Sequence, residues 1–309
     1  MINRDIVLPE PGTETFFLWG PRQTGKTTLL RQRYPDQLWV DLLKSEVFRK
    51  YLERPERLRQ ELAVRKDSPF VIIDEIQKLP LLLNEVHWLH ENLGVRFALC
   101  GSSARKVRKG QANLLGGRAL RFQLFGLTAL EVGHEWDLQR MLNNGYLPRI
   151  YLAQNARQRL RSYVADYLRG EVAAEGLVRN LPVFSEFLNM AALSDTELVN
   201  FSTIARDCGV SSQTIKGYFG ILTDTLLGSW LPAFTKRPKR RVIRSPKFYF
   251  SDVGVVNFLA RRGHIKPGSE LYGKAFENWV HHELRAYGEY RSEERRVGKE
   301  CRSRWSPYH

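Results

Sequence analysis

The segment Gly20-Pro21-Arg22-Gln23-Thr24-Gly25-Lys26-Thr27 constrains this 309-residue chain more than any other stretch of it. It follows the short apolar run Phe16 to Trp19 and leads into Thr28, Leu29 and Leu30, so it reads as strand, glycine loop, helix. The glycines let the backbone curl without side chains. Successive N–H groups then point inward at a phosphate, reinforced by the N-terminus of the helix. Residues Gly20 to Thr28 are the expected nucleotide site, with Lys26 reaching the β- and γ-phosphates of ATP and the Thr27 hydroxyl coordinating magnesium.

A second apolar run, Phe70-Val71-Ile72-Ile73, is entered through Ser68-Pro69 and ends in Asp74-Glu75. Apolar residues at every position are expected of a parallel strand buried on both faces. Asp74 would hold magnesium through water, and Glu75 would polarise the attacking water as general base. Taken alone, the pair would read as solvated acids at a strand end. A Glu directly after the Asp favours hydrolysis over phosphoryl transfer to a small molecule. Val95 to Cys100 supplies a third run and ends in Gly101-Ser102-Ser103. Ser102 or Ser103 is a candidate γ-phosphate sensor between the two strands; the alternative is an ordinary helix N-cap. Leu115-Gly116-Gly117-Arg118 precedes a strand expected from Ala119 to Phe125. Arg118 is either an arginine finger offered to a neighbouring subunit's ATP, which implies a homo-oligomer, or a surface arginine.

In this order, GPRQTGKTTLL, VIIDEIQKLP, GSSARKV and GGRALRFQLFGLTALE resemble a bacterial and archaeal group of AAA-type ATP-binding proteins with a C-terminal domain of unknown function. The likeness covers nearly all of residues 1 to 290. It implies an α/β fold: an additional-strand P-loop core with a parallel sheet over 1–135, and a helical lid over 136–182 opened by Gly145 to Leu152. A winged helix over 183–250 would follow, then the start of a restriction-nuclease-like fold over 251–290. The lid carries Tyr163, Tyr167 and Glu171 at helical spacing, a pattern more often core than site.

Between Asn200 and Leu222 two short amphipathic helices are joined at Gly209. Ala205 allows close helix approach, Gly209 takes the left-handed turn conformation and Ile215 fills the core, as a helix-turn-helix needs; Ser211 or Ser212 caps the second helix. Gln213 and Lys216 face outward as candidate base or phosphate contacts. Strands expected at Ser229 to Phe234 and Lys247 to Phe250 flank a basic hairpin of Lys236, Arg237, Pro238, Lys239, Arg240 and Arg241. Such a wing would bind DNA phosphates in a salt-dependent way; its alternative is a solvated hairpin tip on a protein-interaction module.

Leu271 to Tyr287 reads as an amphipathic helix with Phe276, Val280 and Leu284 on its apolar stripe and Glu277 beside it. The segment resembles the first helix of restriction-nuclease-like folds, in which such an acid helps to organise a metal. His281, His282 and Glu283 are expected on the solvated surface, because adjacent residues face different sides of a helix. Arg291 to His309 has no periodicity and resembles translated sequencing adapter, matched codon by codon from Arg291 to Cys301; the native chain is expected to continue differently after Tyr290. The tail holds six Lys or Arg and three Glu, so without it the net charge falls from +15 to +12 and the chain stays basic. Basic character points to an anionic partner. Cys100, Cys208 and Cys301 are too scattered for a disulfide framework or zinc cluster. No apolar run reaches the ~18 residues of a membrane span, and Met1 to Pro11 lacks a signal pattern, so a cytoplasmic location is expected. Together the motifs predict a magnesium-dependent ATPase coupled to a basic winged helix. The alternatives are a nucleotide switch without turnover and a protein-interaction scaffold.

Overall fold

The computed structural model describes residues 2–65, 70–103, 115–166, 178, 180–233 and 245–291. Ser68, Pro69, Tyr167, Glu171, the basic run Lys236, Arg237, Pro238, Lys239, Arg240 and Arg241, and Cys301 with the tail after Arg291 lie outside the described residues.

The fold is mixed α/β. Strands β1 (Phe16–Trp19), β2 (Leu38–Asp41), β3 (Phe70–Asp74), β4 (Arg96–Gly101) and β5 (Leu120–Gln123) form a parallel sheet in the order β2-β3-β4-β1-β5. β4 therefore lies between the strand that feeds the glycine loop and the strand that ends in Asp74. Alternate side chains of each strand enter opposite cores, as the period of two requires. Phe17, Trp19, Val71, Ile73, Phe97 and Leu99 pack against helices α2 (Ser45–Glu53), α3 (Arg57–Ala63) and α4 (Leu82–Leu93). Phe16, Leu18, Phe70, Ile72, Ala98 and Cys100 face Leu30 of α1 (Lys26–Arg33) and Tyr34.

After β5 the chain is mainly helical. It forms α5 (Ala129–Val132), α6 (Leu138–Asn144), α7 (Pro148–Tyr151), α8 (Ala156–Ser162), α9 (Leu181–Leu193), α10 (Phe201–Asp207) and α11 (Ser212–Asp224). Antiparallel β6 (Gly228–Leu231) and β7 (Lys247–Phe250), then α12 (Val253–Leu259) and α13 (Glu270–Arg291), complete the described chain. The helix pair α10–α11 forms for the local reasons expected. Asn200 caps α10 through Ser202 N and Thr203 N, Gly209 adopts φ +65°, and Ser211 accepts from Thr214 N. Ala205 and Ile215 are buried in one core with Phe187, Phe219 and Phe248.

Helix α13 departs from expectation. Two residues of the anticipated stripe are outward, Phe276 at 39% and Leu284 at 66% exposed, while Val280 is half-buried. Its buried side runs through Ala275, Asn278, His282, Ala286 and Tyr290. The surface beneath is crowded by Tyr146 and Phe125, so small residues and polar groups with partners fit it better than bulky ones. His282 is consequently not surface: it stacks on Tyr146 with centroids 4.1 Å apart, and its Nε2 lies 3.0 Å from the Leu127 carbonyl. His281 is half-buried and stacks on Tyr249.

Candidate functional site

The glycine loop closes on itself around one buried cation. Gly25, at φ +93°, is the N-cap of α1, a conformation a side chain would strain. Lys26 opens the helix and turns back, donating to the carbonyls of Gly20 at 2.7 Å and Pro21 at 2.9 Å. Among the described residues it makes no ion pair. Burial holds its ammonium below the ordinary lysine range, opposed in part by the nearby Cys100, Glu75 and Asp74. A buried cation held only by neutral carbonyls is under-compensated, and an anion in the loop would offset that cost. Thr27 Oγ1 donates to Asp74 Oδ2 at 2.7 Å, joining loop and strand end, and Asp74 Oδ1 accepts from Glu75 N. The oxygens of Thr27 and Asp74 are hard donors of the kind magnesium takes.

Two non-glycine residues here, Gln23 at φ +64° and Glu75 at φ +60°, sit in the left-handed region. Such conformations cost of order 1–3 kcal/mol each and gather at functional sites. Glu75 is buried, and its carboxylate is engaged by Gln77, whose Nε2 also donates to Ser102 Oγ at 3.1 Å. Gln77 was not singled out in the sequence, although DEIQ is contiguous with the acidic pair. Ser103 is buried next to Ser102 and donates to the Asp224 carbonyl of α11 at 3.4 Å. Arg22 Nη2 lies 3.9 Å from Glu75 Oε2. Arg118 ion-pairs within its own chain, with Glu91 of α4 at 2.8 Å, and both groups are largely exposed.

A cavity of about 800 Å³ opens in front of the loop. Lys26, Thr27 and Glu75 line one side; Arg149 of α7 and Gln158 and Arg159 of α8 line the other. The two facing arginines were also missed, since nothing in their local sequence distinguishes them from other surface cations. The turn that positions α7 is held from far along the chain. Asp252 Oδ2 accepts from Tyr146 N at 2.6 Å and Leu147 N at 2.9 Å. A Cβ on Gly145, at φ +85°, would collide with Asp252 Oδ1, so the close approach requires glycine.

Arg4, at the edge of the same cavity, is almost wholly buried. It donates to the carbonyls of Thr24 at 2.6 Å and Phe125 at 2.8 Å, and ion-pairs with Glu131 at 2.9 Å. Tyr290 of α13 accepts from Arg4 Nη2 and from Phe125 N. The glycine loop, the end of the sheet and the last described helix thus meet at one guanidinium.

On α11, Gln213 and Lys216 are exposed as expected, with Lys216 Nζ 5.5 Å from the Phe201 ring centre. Glu277 is engaged by Lys247 at 2.7 Å and Tyr249 at 2.6 Å. Among the described residues no cluster of three or more His, Cys, Asp or Glu is arranged to hold a metal, and no helix is long and apolar enough to cross a membrane.

Residues 13–133 match the AAA domain, and residues 135–265 match a domain of unknown function (DUF8612). Over 249 residues the chain is 28% identical to an uncharacterized protein of Mycobacterium tuberculosis and to one of Mycobacterium bovis. Those alignments take in 78% of this chain and 55% of each relative, so the chain spans about half the length of the curated relatives it matches. Among solved structures it is similar to the replication initiator DnaA bound to AMPPCP and single-stranded DNA, with TM-score 0.35, 13% identity, and coverage of 69% of this chain and 83% of that one. It is also similar to a signal-transduction ATPase with numerous domains from Pyrococcus horikoshii, with TM-score 0.26, 12% identity, and coverage of 92% and 44%. Likeness at that level carries no functional argument.

Proposed function

We propose that the chain binds ATP with magnesium at Gly20 to Thr28 and hydrolyses it, with Glu75 as general base. The observation that carries this reading is the buried, carbonyl-held Lys26 beside the Thr27–Asp74 hydrogen bond, facing a cavity of nucleotide size. Pro21 has no N–H, so the backbone donors that cradle the phosphates would come from Arg22, Gln23, Thr24 and Gly25 and from Lys26, Thr27 and Thr28 at the start of α1. Lys26 would leave the carbonyls for the phosphate oxygens. Thr27 and Asp74 would hold magnesium, which neutralises charge on the phosphates. Glu75 would orient and deprotonate the attacking water, with Gln77 setting its carboxylate and Ser102 behind it in the sensor position. Arg149 and Arg159 face the phosphates across the cavity.

The helix pair α10–α11 with β6–β7 supports a winged-helix reading, in which Gln213 and Lys216, joined by Lys236, Arg237, Lys239, Arg240 and Arg241, meet DNA. Ser103 at the tip of β4 touches the end of α11, a short route from nucleotide to that module. Arg118 would act on a neighbouring copy only after leaving Glu91. We assign no nuclease chemistry to residues 251–290, because Lys247 and Tyr249 already engage Glu277.

The test is Glu75→Gln, measured for phosphate release and for binding of a fluorescent ATP analogue. Hydrolysis predicts that turnover falls by ~10²-fold or more while binding persists. A wild-type protein that binds nucleotide with no turnover would establish the switch instead.

A further inference from the structure

We infer that the chain carries a second anion site, separate from the nucleotide loop and from the α10–α11 pair, that takes the phosphate backbone of a single nucleic-acid strand. The site lies where α8 meets the end of α12. Arg157 and Arg161 are four residues apart on α8 and share one face. Arg261 and Arg262 follow α12, with Arg261 held in the left-handed region at φ +52°. Two adjoining cavities, of about 410 Å³ and 170 Å³, share Arg157 and Phe258. Arg161 and Arg261 line the larger; Arg262 and His264 line the smaller.

Among the described residues no Asp or Glu lines either cavity, and none of the four guanidinium groups donates a side-chain hydrogen bond or forms an ion pair. Asp195 and Glu197 attract Arg262 from a distance and line neither cavity. In the smaller cavity Arg262 Nη1 and Asn257 Oδ1 are both buried without a partner. Buried polar atoms in folded proteins are nearly always paired, so an orphan donor and an orphan acceptor on two residues that line one cavity mark an unsatisfied polar spot beside it. Ordinary surface arginines pair or spread apart; four converging without a carboxylate repel one another until an anion arrives.

The arrangement favours a strand over a lone phosphate. Cation charge is distributed over two cavities in series, which suits successive phosphates. Phe258 stands at their junction, where a base of any kind would stack. A basic groove with an interposed aromatic is the general solution for single strands. Without its last nineteen residues the chain stays basic at +12, a charge that would draw such a ligand in.

The test measures fluorescence anisotropy of a labelled oligothymidylate with the whole chain over a salt series. Arg157→Ala, Arg161→Ala and Arg261→Ala are combined, all three being exposed positions. The expected result is at least tenfold weaker binding and a log–log salt slope reduced by roughly 2, at about 0.7 for each single-strand phosphate left without its cation. Binding of a fluorescent ATP analogue and the thermal unfolding curve should match wild type. The corresponding triple Lys variant should retain strand binding. Wild type that does not bind the strand, or a triple Ala variant with unchanged affinity and slope, overturns the proposal. Arginine-dependent binding of a labelled mononucleotide without strand binding also overturns it, in favour of a small phosphate ligand.

Discussion

Gln77 donates its Nε2 to Glu75 Oε2 at 2.5 Å and so fixes the orientation of that buried carboxylate. The same nitrogen reaches Ser102 at the tip of β4, and the amide oxygen is buried without a partner. Replacing Gln77 with Leu removes that orphan acceptor but leaves the buried Glu75 carboxylate and Ser102 without their donor, at a cost of about 1–3 kcal/mol. Glu75 would lose its orientation. Gln77→Leu is expected to lower turnover on the order of tenfold or more, while the affinity for a fluorescent ATP analogue stays within about twofold. Equal loss of both quantities would point to a collapsed loop instead of a misaligned base.

Arg4 compensates Glu131, whose side chain has no exposed surface. Arg4→Met would leave that carboxylate buried without its cation and the Thr24 carbonyl without its donor. Removing one partner of a buried pair costs about 3–5 kcal/mol. Urea unfolding should show a loss of that size, and because Thr24 belongs to the glycine loop, nucleotide affinity should fall as well. A change under about 1 kcal/mol would mean that Glu131 is relieved by other donors.

Tyr290 accepts from the Phe125 backbone N–H at 3.0 Å, beside Arg4. Tyr290→Phe keeps the ring in its core and leaves that buried N–H unpaired, at a cost of about 1–3 kcal/mol. Amide exchange at Phe125 should accelerate while amides of α10 stay protected.

Burial pushes the Asp195 carboxyl up to about 7, against hydrogen bonds from Phe250 N and Asn278 that favour its charged form. An unfolded chain releases this proton near 3.8, so between pH 4 and 7 the folded state binds more protons than the unfolded one. The contribution to stability is complete below the unfolded value and is lost as pH rises through about 7. His282, pushed down to about 3 by burial, works in the opposite direction, since its proton is taken up on unfolding. The two are separated by difference: the stability of wild type minus that of Asp195→Asn should decline from pH 4 to 7 in urea titrations. A flat difference would show that the carboxyl is ionised throughout.

The parts of this protein legible in its sequence are those whose determinants are contiguous. Strand, glycine loop and helix follow from the consecutive residues Phe16 to Leu30, and the Gly209 turn with its Ser211 cap follows from spacing and local capping chemistry. β4 also fell where a sensor strand was expected, between β1 and β3. Helix α13 resisted the same approach. Periodicity identified a helix, but the hydrophobicity of Phe276 and Leu284 pointed to the wrong face, because burial depends on what the opposite surface can accept.

By itself, then, the amino-acid order determined the loop around Lys26, the acidic pair Asp74-Glu75 and the helix pair, each a short-range consequence of backbone freedom, strand burial and capping. Tertiary structure alone decided that Arg4 joins Thr24 to Tyr290, that Asp252 clamps the turn at Gly145, and that four arginines from α8 and the end of α12 line two cavities with no Asp or Glu among the described residues lining them. These relations unite residues up to 286 positions apart. Charge and hydrogen-bonding energies depend on distance in space, and no local pattern encodes which distant groups will share a buried volume.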